Sequence, residues 1–261
     1  MSFYEGREKK SFIHKLGYKY IFKKSCQNSQ KIIAVSESTK NDITSALKIN
    51  PAKVKVIYEA ADDQTFNQVD SNIIDQLKAK YQLSDRPVVL YVGQWRPHKN
   101  LTGLIEAFDQ LKKETDAKLV IVGKIDPAFP EVAETIDKSP NMSDIIRTGF
   151  VSSKELAAWY QLAHVFVFPS FYEGFGLPGL EAMAAGAPVV SSDRTSLPEI
   201  YQTGAIYFNP SDPIDMSQKI LSVIKDEKLR QTLISQGREV IKKYSWRKTA
   251  EETLAVYRKI D

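Results

Sequence analysis

Glu173 and Glu181 bracket the run Glu173-Gly174-Phe175-Gly176-Leu177-Pro178-Gly179-Leu180-Glu181, so two carboxylates separated by seven residues flank one glycine-rich turn. Four of the twelve glycines, at 174, 176, 179 and 186, fall within thirteen residues. The run follows Val165-Phe166-Val167-Phe168-Pro169-Ser170, an apolar stretch of strand length, and leads to a helix start near Pro178. Such a turn offers unencumbered N–H groups and a positive helix end to an anion. A carboxylate on the same turn can reach the far part of a ligand whose phosphates sit on the amides. The combination suits a phosphate-linked polyol, with a nucleotide sugar as the leading candidate. Tight strand-to-helix turns also occur for structural reasons alone, so the flanking sequence has to decide.

Those flanks are Pro169-Ser170 before the turn and Ala184-Ala185-Gly186-Ala187-Pro188-Val189-Val190 after it. The whole stretch 168–199, through Ser196-Leu197-Pro198-Glu199, resembles the signature of group 1 (family 4) retaining glycosyltransferases of the GT-B fold. The matching pattern is Pro-Ser-x-x-Glu-Gly-Phe-Gly-Leu-Pro-x-x-Glu-Ala-Met-Ala-x-Gly-x-Pro-Val-Val. The resemblance implies transfer of a sugar from a UDP- or GDP-hexose to an acceptor with retention of configuration, and this chain would supply the donor site.

The resemblance also assigns roles. Lys99, in Gly93-Gln94-Trp95-Arg96-Pro97-His98-Lys99-Asn100, matches the family's phosphate lysine, and Arg96 stands beside it. Cations there would stabilise charge growing on the departing diphosphate. As mere solvated cations they would be repelled by a helix N-terminus. Glu173 resembles the residue that approaches the donor-sugar hydroxyls, and Glu181 the acceptor of both ribose hydroxyls. For each acid the alternative is a partner of the helix dipole. The amides of Gly174, Phe175, Gly176 and Leu177 would hold sugar and diphosphate. Gly93, Gly123-Lys124 and Gly149-Phe150-Val151 end strands at the same crevice, with Phe150 and Val151 as a nucleobase floor. These last turns are as compatible with a structural role. No Asp-x-Asp run follows, so no metal or other cofactor is expected. The Asn-Gly-Val-Asp turn common in the family reads Glu59-Ala60-Ala61-Asp62 here.

Positioning these groups requires a scaffold, and the chain of 261 residues, 43% hydrophobic, can bury one. Apolar runs of strand length fall at 31–35, 54–58, 88–92, 119–122, 145–147, 165–168, 188–191 and 205–208, alternating with helical patterns such as 100–113 and 153–163. In the first of these helices Leu101, Leu104, Ile105, Phe108 and Leu111 make one stripe. The alternation predicts an α/β fold with a doubly wound, Rossmann-like parallel sheet covered on both faces. Ligands bind beyond the carboxyl ends of such strands, and every motif above directly follows one. Ser36-Glu37-Ser38-Thr39 caps a helix to about Leu47, and 215–261 reads as two or three helices.

By resemblance, residues 1–49 are a remnant of the family's N-terminal domain with its interdomain helix. Residues 50–243 are then the nucleotide-sugar-binding domain and 244–261 a helix crossing back. The acceptor domain is missing, so the chain reads as a fragment or one subunit of a split enzyme, inactive without a partner chain carrying the N-terminal domain. The alternative function is a non-catalytic nucleotide-sugar-binding subunit. The acceptor is expected to be a sugar or glycolipid, in polysaccharide assembly.

Charge and cysteine content exclude other classes. The first 24 residues hold seven lysines and arginines against two glutamates, and the remainder is almost neutral, which argues against nucleic acid. Residues 3–24 interleave those cations with apolar side chains. They form either an amphipathic helix at anionic lipid or a helix covering a neighbouring domain. A single cysteine, Cys26, and an opening segment unlike a secretory leader fit a cytoplasmic setting.

Overall fold

In the computed structural model, residues 12–61 and 69–259 are described. Part of the expected lipid-facing segment, residues 3–11, and Asp62 of the departing turn lie outside them. Helix α1 (Phe12–Asn28) precedes a small sheet in which β1 (Ile32–Ala34), helix α2 (Glu37–Leu47) and β2 (Val54–Val56) make one β-α-β unit. The strands are parallel, with Ile32 opposite Val54. Helix α2 starts where expected: the Ser36 side chain accepts from the Thr39 N–H. Strand β2, past the expected boundary at residue 49, pairs with β1 and not with the large sheet.

Along α1, Leu16, Tyr18, Tyr20 and Ile21 are all exposed. Cys26 and the partly buried Phe22 instead pack on the small core. Among the described residues no helix is long and apolar enough to cross a membrane.

Beyond helix α3 (Ser71–Lys80) lies the large sheet. Its strands are β3 (Val88–Val92), β4 (Lys118–Val122), β5 (Ile145–Gly149), β6 (Val165–Phe168), β7 (Val189–Ser192) and β8 (Ala205–Phe208). All pair in parallel, in the spatial order β5-β4-β3-β6-β7-β8. The central strands β3 and β6 are apolar throughout because the pleat serves two cores. Leu90, Val120, Phe166, Phe168 and Val189 enter one core, and Val89, Tyr91, Ile121, Val167 and Val190 enter the other.

The first core is closed by helices α6 (Ser153–Leu162), α7 (Leu177–Ala184) and α8 (Leu197–Tyr201), while α4 (Leu101–Leu111) and α5 (Glu131–Lys138) cover the second. Helix α9 (Pro213–Lys225) lies beside α4 on that second face, and α10 (Glu227–Ile241) reaches both cores through Val240 and Leu233. The closing helix α11 (Trp246–Tyr257) touches the connection after β2, where the Thr249 hydroxyl donates to the Tyr58 carbonyl at 2.7 Å. Strand order reverses between β3 and β6, and this reversal is where a doubly wound sheet opens a crevice at its carboxyl edge.

Candidate functional site

The turns after β3 and β6 flank that reversal. The Phe171 N–H donates to the His98 carbonyl at 2.8 Å, fastening one turn to the other. This brings Lys99 Nζ to 2.6 Å from Glu173 Oε1 and 5.3 Å from the centre of the Phe168 ring. Both side chains are largely shielded, at 17% and 13% exposure. The two groups expected to meet a ligand separately therefore form one ion pair. Arg96 caps the short 3₁₀ turn Pro97–Lys99, and its buried Nε has no hydrogen-bond partner. A buried donor left unpaired is costly, which makes Arg96 the more available cation.

The glycine-rich turn is held almost entirely through its carbonyls. Ser196 Oγ lies 3.0 Å from the Glu173 carbonyl and 3.2 Å from that of Phe175. Ser36 Oγ and Thr39 Oγ1 donate to the Gly174 carbonyl at 2.7 and 3.1 Å. The Tyr201 hydroxyl donates to the Gly176 carbonyl. Among the described residues the N–H groups of Gly174, Phe175, Gly176 and Leu177 meet no acceptor. Four amides at the start of α7 are thus left without a protein acceptor, which is the condition an anion nest requires. Gly176 adopts φ +107°, and a Cβ there would strike Tyr201 and Leu197, so the turn requires glycine.

Glu181 lies on the second turn of α7, mostly buried, and its Oε2 accepts from the Tyr160 hydroxyl of α6 at 2.8 Å. Burial raises its carboxyl above the usual range, against the opposing effect of the Tyr160 hydrogen bond. Across the neighbouring strands the glycines interlock. The Gly93 N–H donates to the Val122 carbonyl, the Gly123 N–H donates to the Gly149 carbonyl, and a Cβ on Gly123 would fall on the Gly93 oxygen. Lys124 is exposed, Val151 is partly buried on the first core, and the Phe150 ring stands 89% exposed at the β5 end of the edge.

Glu199 was read only as part of a motif. Its carboxylate receives the Glu37 and Ser38 N–H groups of α2 at 2.7 and 3.0 Å. The small sheet is thereby fastened to the helix after β7. Ser36, Thr39, Tyr160, Thr195, Ser196 and Tyr201 were likewise missed as contributors. Ser36 and Thr39 lie at the cap, and Thr195, Ser196 and Tyr201 lie beside Leu197-Pro198-Glu199, whereas Tyr160 carries no such signal in the sequence.

The family model of glycosyl transferases group 1 matches residues 73–240, which include every strand of the large sheet and both flanks of the crevice. The chain belongs to this glycosyltransferase family. Among its relatives, the O-antigen chain mannosyltransferase B of Escherichia coli is 30% identical over 236 residues, covering 90% of this chain and 62% of that protein. The serotype-specific mannosyltransferase WbdA of Escherichia coli is 33% identical over 230 residues, covering 86% of this chain and 28% of that protein. The sucrose-phosphate synthase of Thermosynechococcus elongatus superposes with a TM-score of 0.81 at 25% identity, covering 94% of this chain and 62% of that one. The group 1 chain therefore spans less than two thirds of these relatives, and its large sheet has the Rossmann-like form of the GT-B glycosyltransferases.

Proposed function

We propose that this chain supplies the donor site of a retaining hexosyltransferase acting on a nucleoside-diphosphate sugar. What supports the reading is that Lys99, the unpartnered Nε of Arg96 and four amides without an acceptor all lie on the two turns that flank the strand reversal. A diphosphate laid there meets fixed donors in a partly shielded place, where they need not reorganise as charge develops. Lys99 would be shared between Glu173 and the phosphate. Glu173 would then orient the sugar hydroxyls, and Glu181, presented by Tyr160, would take the ribose diol. Gly93, Gly123 and Lys124 would line the crevice, with Phe150 and Val151 toward the base.

Retention implies attack from the face of the departing diphosphate, whose oxygen helps to remove the acceptor proton. Neither glutamate then has to bond covalently to the sugar, and protein groups meet the diphosphate charge without a metal. The acceptor, a sugar or glycolipid, would be held by a further domain or partner chain. The large sheet with its helices would form the donor unit, and the small sheet with α2 the joint to that further domain. Two relatives are named mannosyltransferases, so a mannose nucleotide heads the panel of donors.

Calorimetric titration of the chain with UDP, GDP, GDP-mannose and UDP-glucose tests the reading. Binding of at least one nucleotide is expected, weakened by Lys99→Ala and by Glu181→Ala. A well-folded protein that binds none of them refutes it.

A further inference from the structure

We propose that Thr39 and Thr195 are positioning residues of the donor site, acting from opposite sides on the turn that carries Glu173. The inference rests on the donor-site reading above and adds two residues that touch no donor themselves. Thr195 sits just after β7 with φ +52°. A β-branched residue rarely takes this conformation, which persists where the surroundings over-determine it. Its Oγ1 accepts the Glu173 N–H at 3.0 Å. Thr39 lies 135 residues from Gly174 in sequence, and its hydroxyl reaches the Gly174 carbonyl at 3.1 Å.

Peptide planarity turns these two bonds into a directional device. In a trans peptide the N–H points opposite to the C=O. Thr195 fixes the peptide entering Glu173, and Ser196 fixes the one leaving it. The Cα–Cβ direction of Glu173 is then set toward Lys99. Thr39, with Ser36, holds the Gly174 carbonyl and so directs the Phe175 N–H of the same peptide to the opposite side. Thr195 also withdraws the Glu173 N–H, leaving the four amides that follow to form the nest. Ser36 is the cap of α2 and Thr39 is not, so Thr39 can be altered without uncapping the helix.

The test compares Thr195→Val with Thr195→Ser, and Thr39→Val with Thr39→Ser. Each is titrated with UDP and GDP and followed by thermal unfolding. Valine keeps the branched shape and removes the hydroxyl, whereas serine keeps the hydroxyl and removes a methyl group. The expected result is roughly tenfold weaker binding for each valine variant, the worth of one misplaced hydrogen bond, and binding within about twofold of the parent for each serine variant. A merely structural role predicts that affinity follows melting temperature across all four variants, and that result overturns the proposal, as does undiminished binding by both valine variants. If Thr195→Val does not fold, the Thr39 pair makes the same comparison. A parent chain that binds neither nucleotide removes the donor-site reading and this inference with it. A parent that binds, with four unaffected variants, removes the inference alone.

Discussion

The Tyr160 hydroxyl donates to Glu181 Oε2 at 2.8 Å, so the helix after β5 and the helix after β6 share one hydrogen bond at the carboxyl edge. Tyr160 is fully buried, and burial followed by the Glu181 charge raises its phenol well above the ordinary value, which keeps it a donor. One oxygen of the Glu181 carboxylate is thereby engaged, and in the donor-site reading the other meets the ligand. Burial also raises the Glu181 pKa.

Donor affinity should consequently depend on pH. A raised carboxyl is fully anionic only above its shifted value, so affinity is complete toward neutral pH and is lost as pH falls through that value. GDP-mannose or UDP-glucose suits the measurement, because these carry no terminal phosphate titrating near neutrality. The Glu181→Gln variant should bind several-fold more weakly with a flatter profile. An unchanged slope in that variant would assign the pH dependence to another group.

Lys99 and Glu173 invite a double-mutant cycle. Lys99→Ala removes a charged donor and leaves Glu173 shielded without its partner. Nucleotide affinity should fall by about 2 kcal/mol, and stability by about 1–2 kcal/mol. Glu173→Gln keeps a hydrogen-bond acceptor for Lys99 and should change nucleotide affinity little while lowering turnover in the assembled enzyme. Calorimetry and denaturant unfolding separate the two effects. Additive losses across the cycle would mean that the pair is not coupled.

Gly123→Ala should be severely destabilising. The new methyl group would occupy the position of the Gly93 carbonyl oxygen, and backbone on both neighbouring strands would have to move. A loss of about 3 kcal/mol or more is expected by comparison with overpacked cores, measured by urea unfolding. A loss below about 1 kcal/mol would show that the strand ends yield easily.

His164 gives the fold its own pH dependence. Its Nδ1 accepts the Val88 N–H at 3.1 Å, and burial followed by the nearby Arg230 charge lowers its pKa below 6.5. The unfolded chain then binds the proton more readily than the folded one. Stability is full above pH 6.5 and declines as pH falls from there toward the depressed folded value. Thermal unfolding between pH 7.5 and 5 should show this decline, and His164→Asn should reduce it.

Strands 88–92, 165–168 and 205–208 have the bounds expected from the residues, because unbroken apolar runs ending in glycine, proline or polar residues admit little else. The helix expected over 100–113 is shorter, at Leu101–Leu111, since Asn100 takes a left-handed conformation and its side-chain amide donates to the Pro210 carbonyl. The crevice was legible for a similar reason: each motif lies directly after a strand, so parallel pairing gathers them on one edge. The partner of β2 was not legible, because three residues of alternating exposure specify no neighbour. The Lys99–Glu173 pair also escaped notice, since it joins positions 74 apart. The hydroxyls that hold the turn lie 21 to 138 positions from the carbonyls and N–H they bind, and isolated serines and threonines carry no periodic signal.

The bond from Ser36 to the Gly174 oxygen spans 138 positions. Closing so wide a span costs entropy before any reward is collected, and such pairings tend to form late in folding. A nascent chain emerging from the ribosome exposes β1 and α2 long before the segment they brace has been synthesised. By this measure the brace on the glycine-rich turn can form only after the chain through Gly174 has been made, so the geometry of its amides depends on a late, long-range contact rather than on the local sequence.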